Sequence, residues 1–567
     1  MTGATGLSGA TGVSDASVMT GPAGACGFPP AFPAAEELER ALGDPHGPTG
    51  PLTFATAMEG DRAERWPHSS LDRLRSWGYP AHLVPASLGG RLTSLEELLA
   101  LGRVVARRDP TAAVIANSPW ASGTPVWLAG TPAQRRDYAD AVLRGQWMSL
   151  ALTEYDRGAD LLGGELTARR VAGGYLLDGA KWVINNVRLA RFVCLLVREP
   201  ALTGLRSLTL LLVDMERLPA GSYELLPRIH THGIRGADIS GVRFLDAFVP
   251  DSAVLGRPGR GLDLTIRSLI TIRTLVPGLS LGAFDTGLRC AFDVLRHRRV
   301  QRRRASDLPD VRHELAAADL DLRVAETVAT CCVRLLHHLP ALAPVSSAVA
   351  KYLVPHLAEQ RLRRLAGTLG ARYLLTRDHW HGVYEKLVRD TRLFSLFDGS
   401  EPVVLSSLAA QVSCLTEPGA DPRAADPVFR PVFAPRPYPE GLAALGTASD
   451  LDPVIAGLGD ACAGLERRDG GARAAALLRA AGRDLLADAR RDVDPRSEAG
   501  QQVGERYART FAAVCVARSA PAHWAAAGVE SVLRPGGRLP VSTAESLFLD
   551  LALRYAGRSA LALTRTA

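Results

Sequence analysis

The apolar residues of this 567-residue chain change their spacing twice, and this limits the folds that the chain can adopt. From Ala34 to about Trp147 they recur at helical intervals, and in the stretch that begins at Ser94 they fall at i, i+3, i+4 and i+7. From Met148 the apolar runs are short, rich in Val, Leu and Tyr, and separated by Gly, Asp and Asn, which is typical of strands. Long helical periods return after Gly261. The pattern predicts a mainly α protein with a small β domain between two helical domains.

Two shifts in composition mark further boundaries. The N-terminal segment is rich in Gly, Ala, Ser and Thr and carries few charges, which is typical of a disordered tail. Residues 416–440 contain seven prolines, which predicts a linker. The predicted divisions are a tail at 1–32, an N-terminal helical domain at 33–147, a β domain at 148–258, a C-terminal four-helix domain at 259–415, the linker at 416–440 and a helical extension at 441–567.

The β domain is expected to be a small antiparallel barrel or sandwich. Its strand candidates are Leu166–Ala168, Gly174–Leu177, Phe192–Val197, Ser207–Asp214, Glu224–Arg228 and Gly241–Leu245. The helical segments that follow are expected to pack as a four-helix bundle. The helix candidates are Leu262–His297, Leu308–Leu339, Ala341–Gly370 and Tyr384–Leu393.

Composition argues against several classes of protein. The net charge of +7 is a mild excess for this length, and no basic stripe with interleaved aromatic residues is found, so no nucleic-acid partner is expected. The eight cysteines form no CxxC pair, which favours reduced thiols in a cytoplasmic protein. The N-terminus lacks the features of a signal peptide, and the strand-length apolar runs are shorter than the ~20 residues of a membrane span. The histidine pairs lack a third ligand at readable spacing, so no metal site is predicted.

One carboxylate, that of Asp398, stands where a helical segment ends and a Gly-Ser pair begins. The chain there reads Leu-Phe-Asp-Gly-Ser, from Leu396 to Ser400. Because glycine lets the backbone reverse, we expect a turn that exposes the Asp398 carboxylate to a cleft, close to backbone N–H donors. A carboxylate in such a place can act as a general base if burial raises its pKa.

This turn resembles the general-base turn of the acyl-CoA dehydrogenases, which reads aromatic-Glu-Gly-Thr. Residues 150–160, Leu-Ala-Leu-Thr-Glu-Tyr-Asp-Arg-Gly-Ala-Asp, resemble the flavin loop of that family, Leu-Thr-Glu-Pro-x-Ala-Gly-Ser-Asp. Residues 179–186, Gly-Ala-Lys-Trp-Val-Ile-Asn-Asn, resemble its strand Gly-x-Lys-x-aromatic-Ile-Thr-Asn. The resemblance extends over 34–412, and the extension is similar to the additional helical region of the longer family members.

The resemblance implies FAD as the cofactor and assigns residues to it. The implied contacts are Leu152, Thr153, Ala159, Val183, Asn185, Arg298, Gln301, Gly367 and Ser400. Arg298 is implied to reach cofactor phosphate across a subunit interface, and Gly367 lies in a segment, 365–370, expected to form a glycine-rich turn. Trp182 stands one place before the aromatic position of the family, so strand alternation predicts that it points to the other face.

The function that the resemblance implies is flavin-dependent α,β-dehydrogenation of an acyl thioester on CoA or an acyl carrier protein, in a biosynthetic pathway. Asp398 would be the base, and Arg273 would lie beside the substrate. An electron-transfer flavoprotein or O2 would accept the electrons, and the protein would be a homodimer or homotetramer.

Two alternatives stay open. The first arises because Asp398 is shorter than Glu by about 1.5 Å, one C–C bond, and the second arises because several implied flavin contacts differ from the family pattern. Position 272, where some family members place the base, is Ile272 and supplies no substitute carboxylate. One alternative is a flavin oxidase of another activated carbon acid, similar to nitroalkane oxidase. The other is a cofactor-poor partner subunit of a hetero-oligomer. The arginine-rich run at 296–304 is expected to be a solvated helix end, or else a site for pyrophosphate or an acidic carrier domain.

Overall fold

The structure, a computed structural model, describes residues 32–417, 419–431, 433 and 445–556. The predicted architecture is confirmed: a helical part, a β part, a second helical part and a helical extension follow one another along the chain. The predicted N-terminal tail lies outside the described residues, apart from Phe32.

The N-terminal part is helical, and its helices begin at recognisable caps. Ser94 starts the helix that periodicity identified, because its hydroxyl accepts the backbone N–H of Glu97. Thr131 and Gln134 form a capping box at the start of the last helix of this part. The helices are α1 Pro33–Leu42, α2 Phe54–Arg62, α3 His68–Trp77, α4 Leu95–Arg108, α5 Pro110–Ala129 and α6 Pro132–Leu143.

The β part is one sheet with the strand order β1-β4-β2-β3-β7-β6, and β5 also pairs with β4. The strands are β1 Trp147–Ala151, β2 Thr167–Val171, β3 Gly174–Asn185, β4 Ala190–Arg198, β5 Leu208–Asp214, β6 Tyr223–Leu226 and β7 Ile239–Pro250. Most neighbouring strands pair antiparallel as expected, but β4 pairs in parallel with both β1 and β2. A parallel pair needs a long connection, and the chain between β1 and β4 supplies one.

The second helical part carries the predicted bundle helices with two differences. The candidate Leu262–His297 is broken at Thr274 and Leu275, and the second of its two helices has a proline in its first turn. This stretch is apolar enough to cross a membrane by composition alone, but 78% of its most apolar window is buried inside the protein, as in a core helix. A short helix, α12, follows the bundle. The helices are α7 Gly261–Arg273, α8 Val276–His297, α9 Pro309–His338, α10 Ala343–Leu369, α11 Val383–Leu396 and α12 Glu401–Ala409.

The extension packs against the bundle. Its last helix is tied to α8 and α9, because Tyr555 donates a hydrogen bond to Asp285 and Arg554 pairs with Asp319. Part of the predicted linker is also packed, since residues 422–429 form a 3-10 helix whose Val428 carbonyl accepts a hydrogen bond from a buried arginine of α9. The helices are α13 Pro453–Ala456, α14 Leu458–Glu466, α15 Gly471–Asp488, α16 Glu498–Ser519, α17 Ala522–Leu533 and α18 Val541–Ala556.

A buried charge cluster on α11 joins the three parts that precede the extension. Lys386 pairs with Asp390 one turn later, and it donates hydrogen bonds to Asp109 at 2.8 Å and Thr111 at 2.9 Å in the N-terminal part. Asp390 also accepts the backbone N–H of Ile234, in the β part, at 2.7 Å. Charges removed from water are tolerated only when they are paired and hydrogen-bonded, so this cluster fixes the position of α11.

Arg389 extends the same cluster. Its guanidinium contacts the carboxylate of Asp61 on α2 at 2.7 Å and donates a hydrogen bond to the carbonyl of His232 at 3.0 Å. Two consecutive turns of α11 therefore hold the N-terminal helices and the β part against the bundle.

We expect Asp390→Asn to lower the free energy of unfolding by about 3–5 kcal/mol, because it leaves the Lys386 ammonium buried with one carboxylate fewer. Thermal and denaturant unfolding followed by circular dichroism would measure the loss. Asp310→Asn is the matched control: it breaks a pair with Arg538 in which both side chains are exposed, by 89% and 72%, and should cost about 0–1 kcal/mol. Equal stability of the two variants would contradict this role of the cluster.

Candidate active site

Asp398 lies in a tight turn between α11 and α12, as the sequence predicts. Its φ is 56° and that of Gly399 is 117°, so both residues are left-handed. Asp tolerates this conformation better than most residues do, and glycine adopts it freely. A Cβ at position 399 would also lie 2.7 Å from Nη2 of Arg273, so the turn has no room for a side chain there.

Two cations, not the expected backbone N–H groups, surround Asp398. Arg273 at the end of α7 donates its Nε–H to the backbone carbonyl of Asp398, and Lys351 of α10 approaches from the bundle. Among the described residues, none donates a hydrogen bond to the carboxylate itself. Burial raises the pKa of the Asp398 carboxyl, and the charges of Lys351 and Arg273 partly oppose this rise. The carboxylate is thus left with free lone pairs and increased basicity.

Of the two cations beside Asp398, Lys351 is the one that the sequence did not predict as a site residue. Its side chain is only 2% exposed, and its Nζ donates a hydrogen bond to the carbonyl of Phe394 at 2.6 Å. Burial lowers the pKa of Lys351 to about 7, a shift that Asp398 opposes and Arg273 reinforces. Lys351 can therefore change its charge near neutral pH, directly beside the candidate base.

The pKa of Lys351 leads to a prediction about stability. Because its pKa is lower in the folded state than the ordinary value of 10.5, the unfolded chain binds a proton that the folded protein lacks between about pH 7 and 10. The free energy of unfolding should therefore rise with pH over this interval. We expect Lys351→Met to remove this contribution, so that stability depends less on pH than in the wild type. Denaturant titrations at several pH values would measure the free energy of unfolding. The same dependence on pH in the wild type and in Lys351→Met would contradict this prediction.

In the β part, a buried ion pair shapes the loop after β1. The carboxylate of Glu154 accepts the backbone N–H groups of Glu165 at 2.6 Å and Leu166 at 3.1 Å, and it pairs with Nζ of Lys181 at 2.7 Å. Lys181 also donates to the carbonyl of Leu152 at 2.9 Å. Sequence reasoning missed the roles of Glu154 and Lys181, although two opposite charges within apolar strand segments are a usable signal of a buried pair.

The ion pair holds the loop beside strand β3 and brings two implied cofactor residues together. The carbonyl of Thr153 accepts the backbone N–H of Trp182 at 3.0 Å. The Thr153 hydroxyl has no partner among the described residues, and Oδ1 of Asn185 is buried without a hydrogen-bond donor. Ala159 lies at the exposed far end of the loop. Thr153 and Asn185 thus present unsatisfied polar groups on adjacent segments.

The prediction for Trp182 is wrong, because β3 contains a bulge. Trp182 pairs with Gly241 and Ile184 pairs with Ser240, which leaves Val183 as an extra residue with a φ of 60°. One inserted residue shifts the alternation of the strand. Trp182 therefore lies on the same face of the strand as Asn185, where regular alternation would place it on the opposite face.

Three other implied cofactor residues form a separate group near the C-terminal end of α8, whereas Ser400 stands at the start of α12. Arg298 donates a hydrogen bond to the carbonyl of Leu369 at 3.2 Å, Gln301 is exposed in a tight hairpin, and Gly367 is exposed on α10. The 22 residues of α8 separate Arg298 from Arg273, and such a helix spans about 33 Å. Within one chain, Arg298 is therefore far from Arg273 and the Asp398 turn.

Two expectations about this second group need correction. The glycine-rich turn does not form at 365–369, because α10 continues to Leu369 and the chain turns only at Gly370, whose φ is 66°. The arginine-rich run is a helix end only in part, because α8 ends at His297 with Arg298 as its C-cap and the chain then continues beyond the helix. It forms a small exposed hairpin of strands β8, Arg299–Val300, and β9, Arg303–Arg304.

The helical part, the sheet and the bundle thus meet at one charge cluster. The Asp398 carboxylate lies on the bundle side, and the polar loop after β1 lies on the sheet side. Residues 149–247 match the middle domain of acyl-CoA dehydrogenases, and residues 259–413 match their C-terminal domain. Over these two ranges, the chain carries the middle and C-terminal domains of acyl-CoA dehydrogenases.

Individual relatives agree with this assignment. The chain is 24% identical to the CarC subunit of the caffeyl-CoA reductase–Etf complex of Acetobacterium woodii, over 62% of this chain and 91% of the relative. Its fold is similar to that of butyryl-CoA dehydrogenase from Megasphaera elsdenii, with a TM-score of 0.60 and 18% identity over 66% of this chain and 96% of the other. The prolyl acyl carrier protein oxidase AnaB gives a TM-score of 0.59, with the same identity and coverage.

Proposed function

We propose that the protein catalyses the FAD-dependent α,β-dehydrogenation of an acyl thioester, with Asp398 as the base. The observation that carries this proposal is the state of the Asp398 carboxylate. It receives no hydrogen bond from the described residues, and burial raises its pKa. Its left-handed turn lies beside the end of α7, where Arg273 binds the Asp398 carbonyl. An acid that served only to stabilise the fold would be expected to have its lone pairs occupied.

Asp398 would remove the proton from the carbon next to the thioester carbonyl. General-base catalysis of this kind typically contributes about 10²–10⁴ in rate. Negative charge then develops on the carbonyl oxygen, and nearby cations or N–H donors stabilise it. Among the described residues, Arg273 donates only to the Asp398 carbonyl, so its other N–H groups are free to bind the substrate.

The polar groups of the β part fit FAD. The unsatisfied Oδ1 of Asn185 accepts hydrogen bonds, and the free hydroxyl of Thr153 can donate or accept one, so both suit the N–H and carbonyl groups of an isoalloxazine ring. The Ser400 hydroxyl, which makes no capping bond at the start of α12, is a third candidate contact. When bound, FAD supplies the hydride acceptor for this reaction class. Ala159 and Val183 offer no polar side chain, so any polar contact there would come from the backbone.

Arg298 and Gln301 would serve the FAD of a second copy of the chain. Their separation from Arg273, by the length of α8, supports contact across an interface between two copies. A homodimer is therefore the assembly that we propose. CarC is named as a subunit of an Etf complex, which favours an electron-transfer flavoprotein as the acceptor here.

The shorter base restricts the substrate. Asp398 falls short of a Glu carboxylate by about 1.5 Å, and a misplacement of about 1 Å can cost ~10² in rate. A productive substrate must therefore bring its α-carbon closer to the turn. The related folds act on CoA thioesters and on a carrier-bound prolyl group, as their names state, so we propose a thioester on one of these two carriers.

We expect the purified full-length protein to be yellow and to hold about one FAD per chain, bound at the loop after β1 and strand β3. Absorbance of the flavin released by denaturation gives the ratio. Colourless protein that takes up no FAD on titration would contradict the proposal and would instead support a cofactor-poor partner subunit.

We expect Asp398→Asn to keep its FAD and its fold but to lose turnover by about 10²–10⁴, because an amide cannot accept the α-proton. Steady-state reduction of an artificial electron acceptor by acyl-CoA substrates would measure this. Glu401→Gln is the matched control, since Glu401 is the next carboxylate along the chain and is half-exposed at the start of α12. Wild-type turnover in Asp398→Asn would refute the assignment of the base.

A further inference from the structure

We propose that Trp182 is the side chain that packs against the flavin ring, in place of the missing aromatic residue at position 183. This inference rests on the proposed function, because it takes FAD as the ligand of the loop and strand described above. Regular strand alternation would place Trp182 on the face of β3 opposite to Asn185.

The pairing of β3 with β7 gives the direction of Trp182. Lys181 and Ile184 both point into the interior, where each is 2% exposed. Trp182 and Asn185 lie on the opposite side, and the bulge at Val183 allows this, because it inserts one residue between them. The buried, unsatisfied carbonyl oxygen of Asn185 and the indole ring of Trp182 therefore belong to the same face of the strand.

On that face, Trp182 forms an open aromatic pair. Its ring centroid lies 4.6 Å from that of Tyr155, with an angle of 59° between the rings, and Tyr155 is 71% exposed. The Trp182 backbone is hydrogen-bonded to Thr153, so the pair stands directly beside the polar loop. Trp182 itself is only partly buried. Aromatic rings pack well against other flat rings, and a partly exposed aromatic pair next to free polar groups is typical of a ligand site.

The backbone of Val183 shows that this bulge is strained. A β-branched residue with a φ of 60° is a genuine outlier, and such strain persists only where surrounding structure enforces it. The bulge at this strained residue places Trp182 on the same face of the strand as Asn185. A regular strand would direct Trp182 and Asn185 to opposite faces, and they could not contact one planar ligand together.

The test uses the full-length protein, freed of flavin and titrated with FAD. We expect Trp182→Leu to raise the Kd for FAD by about tenfold, because the ring contact is lost. Trp182→Phe keeps a ring and should raise it by no more than about threefold. Leu245→Ala, which shortens another exposed apolar side chain of the same sheet, should bind FAD like the wild type. Circular dichroism melting curves show whether each variant is folded.

Tryptophan emission gives a second readout that does not depend on activity. FAD should quench less emission in Trp182→Phe than in Trp524→Phe, because Trp524 is buried in α17 of the extension. Wild-type affinity for FAD in Trp182→Leu, or equal quenching in the two Trp→Phe variants, would overturn the inference while leaving the proposed function intact. If the wild-type protein binds no FAD, both the inference and the proposed function fall.

Discussion

The buried charge cluster on α11 is the interaction on which the rest of the structure depends. Lys386 and Asp390 lie fully inside the protein, and their partners come from the N-terminal helices and from the β part. Buried charges gain little net stability, but breaking one such pair is costly, so the cluster enforces one arrangement of the three parts. The Asp398 turn follows directly at the end of the same helix, so its position relative to the sheet is set by the cluster.

The candidate site itself departs from regular backbone at two places, one in each of the parts that it joins. Asp398 is left-handed at the end of α11, and Val183 is left-handed within β3. Each conformation costs roughly 1–3 kcal/mol, and such residues concentrate at functional sites. The first presents a carboxylate without hydrogen-bond donors, and the second turns Trp182 toward the same face as Asn185. The rigid bundle and sheet provide the support that this strain requires.

The features of the fold and the site that depend on neighbouring residues could be predicted from the sequence. Apolar spacing identified the order of helical and β parts, and the segment around Asp398 predicted the turn. The features that were missed depend on contacts distant in the chain. Lys351 gains its low pKa only from burial beside Arg273, and Glu154 meets Lys181 across 27 residues. A bulge cannot be read from alternation, since alternation assumes that no residue is inserted.

The most direct test of Asp398 as the base measures the removal of the substrate's α-proton separately from hydride transfer. The protein, with FAD bound, would be incubated in D2O with acyl-CoA thioesters under anaerobic conditions, and deuterium at the carbon next to the carbonyl would be measured by mass spectrometry. If Asp398 is the base, the wild type incorporates deuterium there and Asp398→Asn does not, while both retain FAD. Equal incorporation by the two proteins would show that another group removes the proton, and the assignment of Asp398 as the base would be wrong.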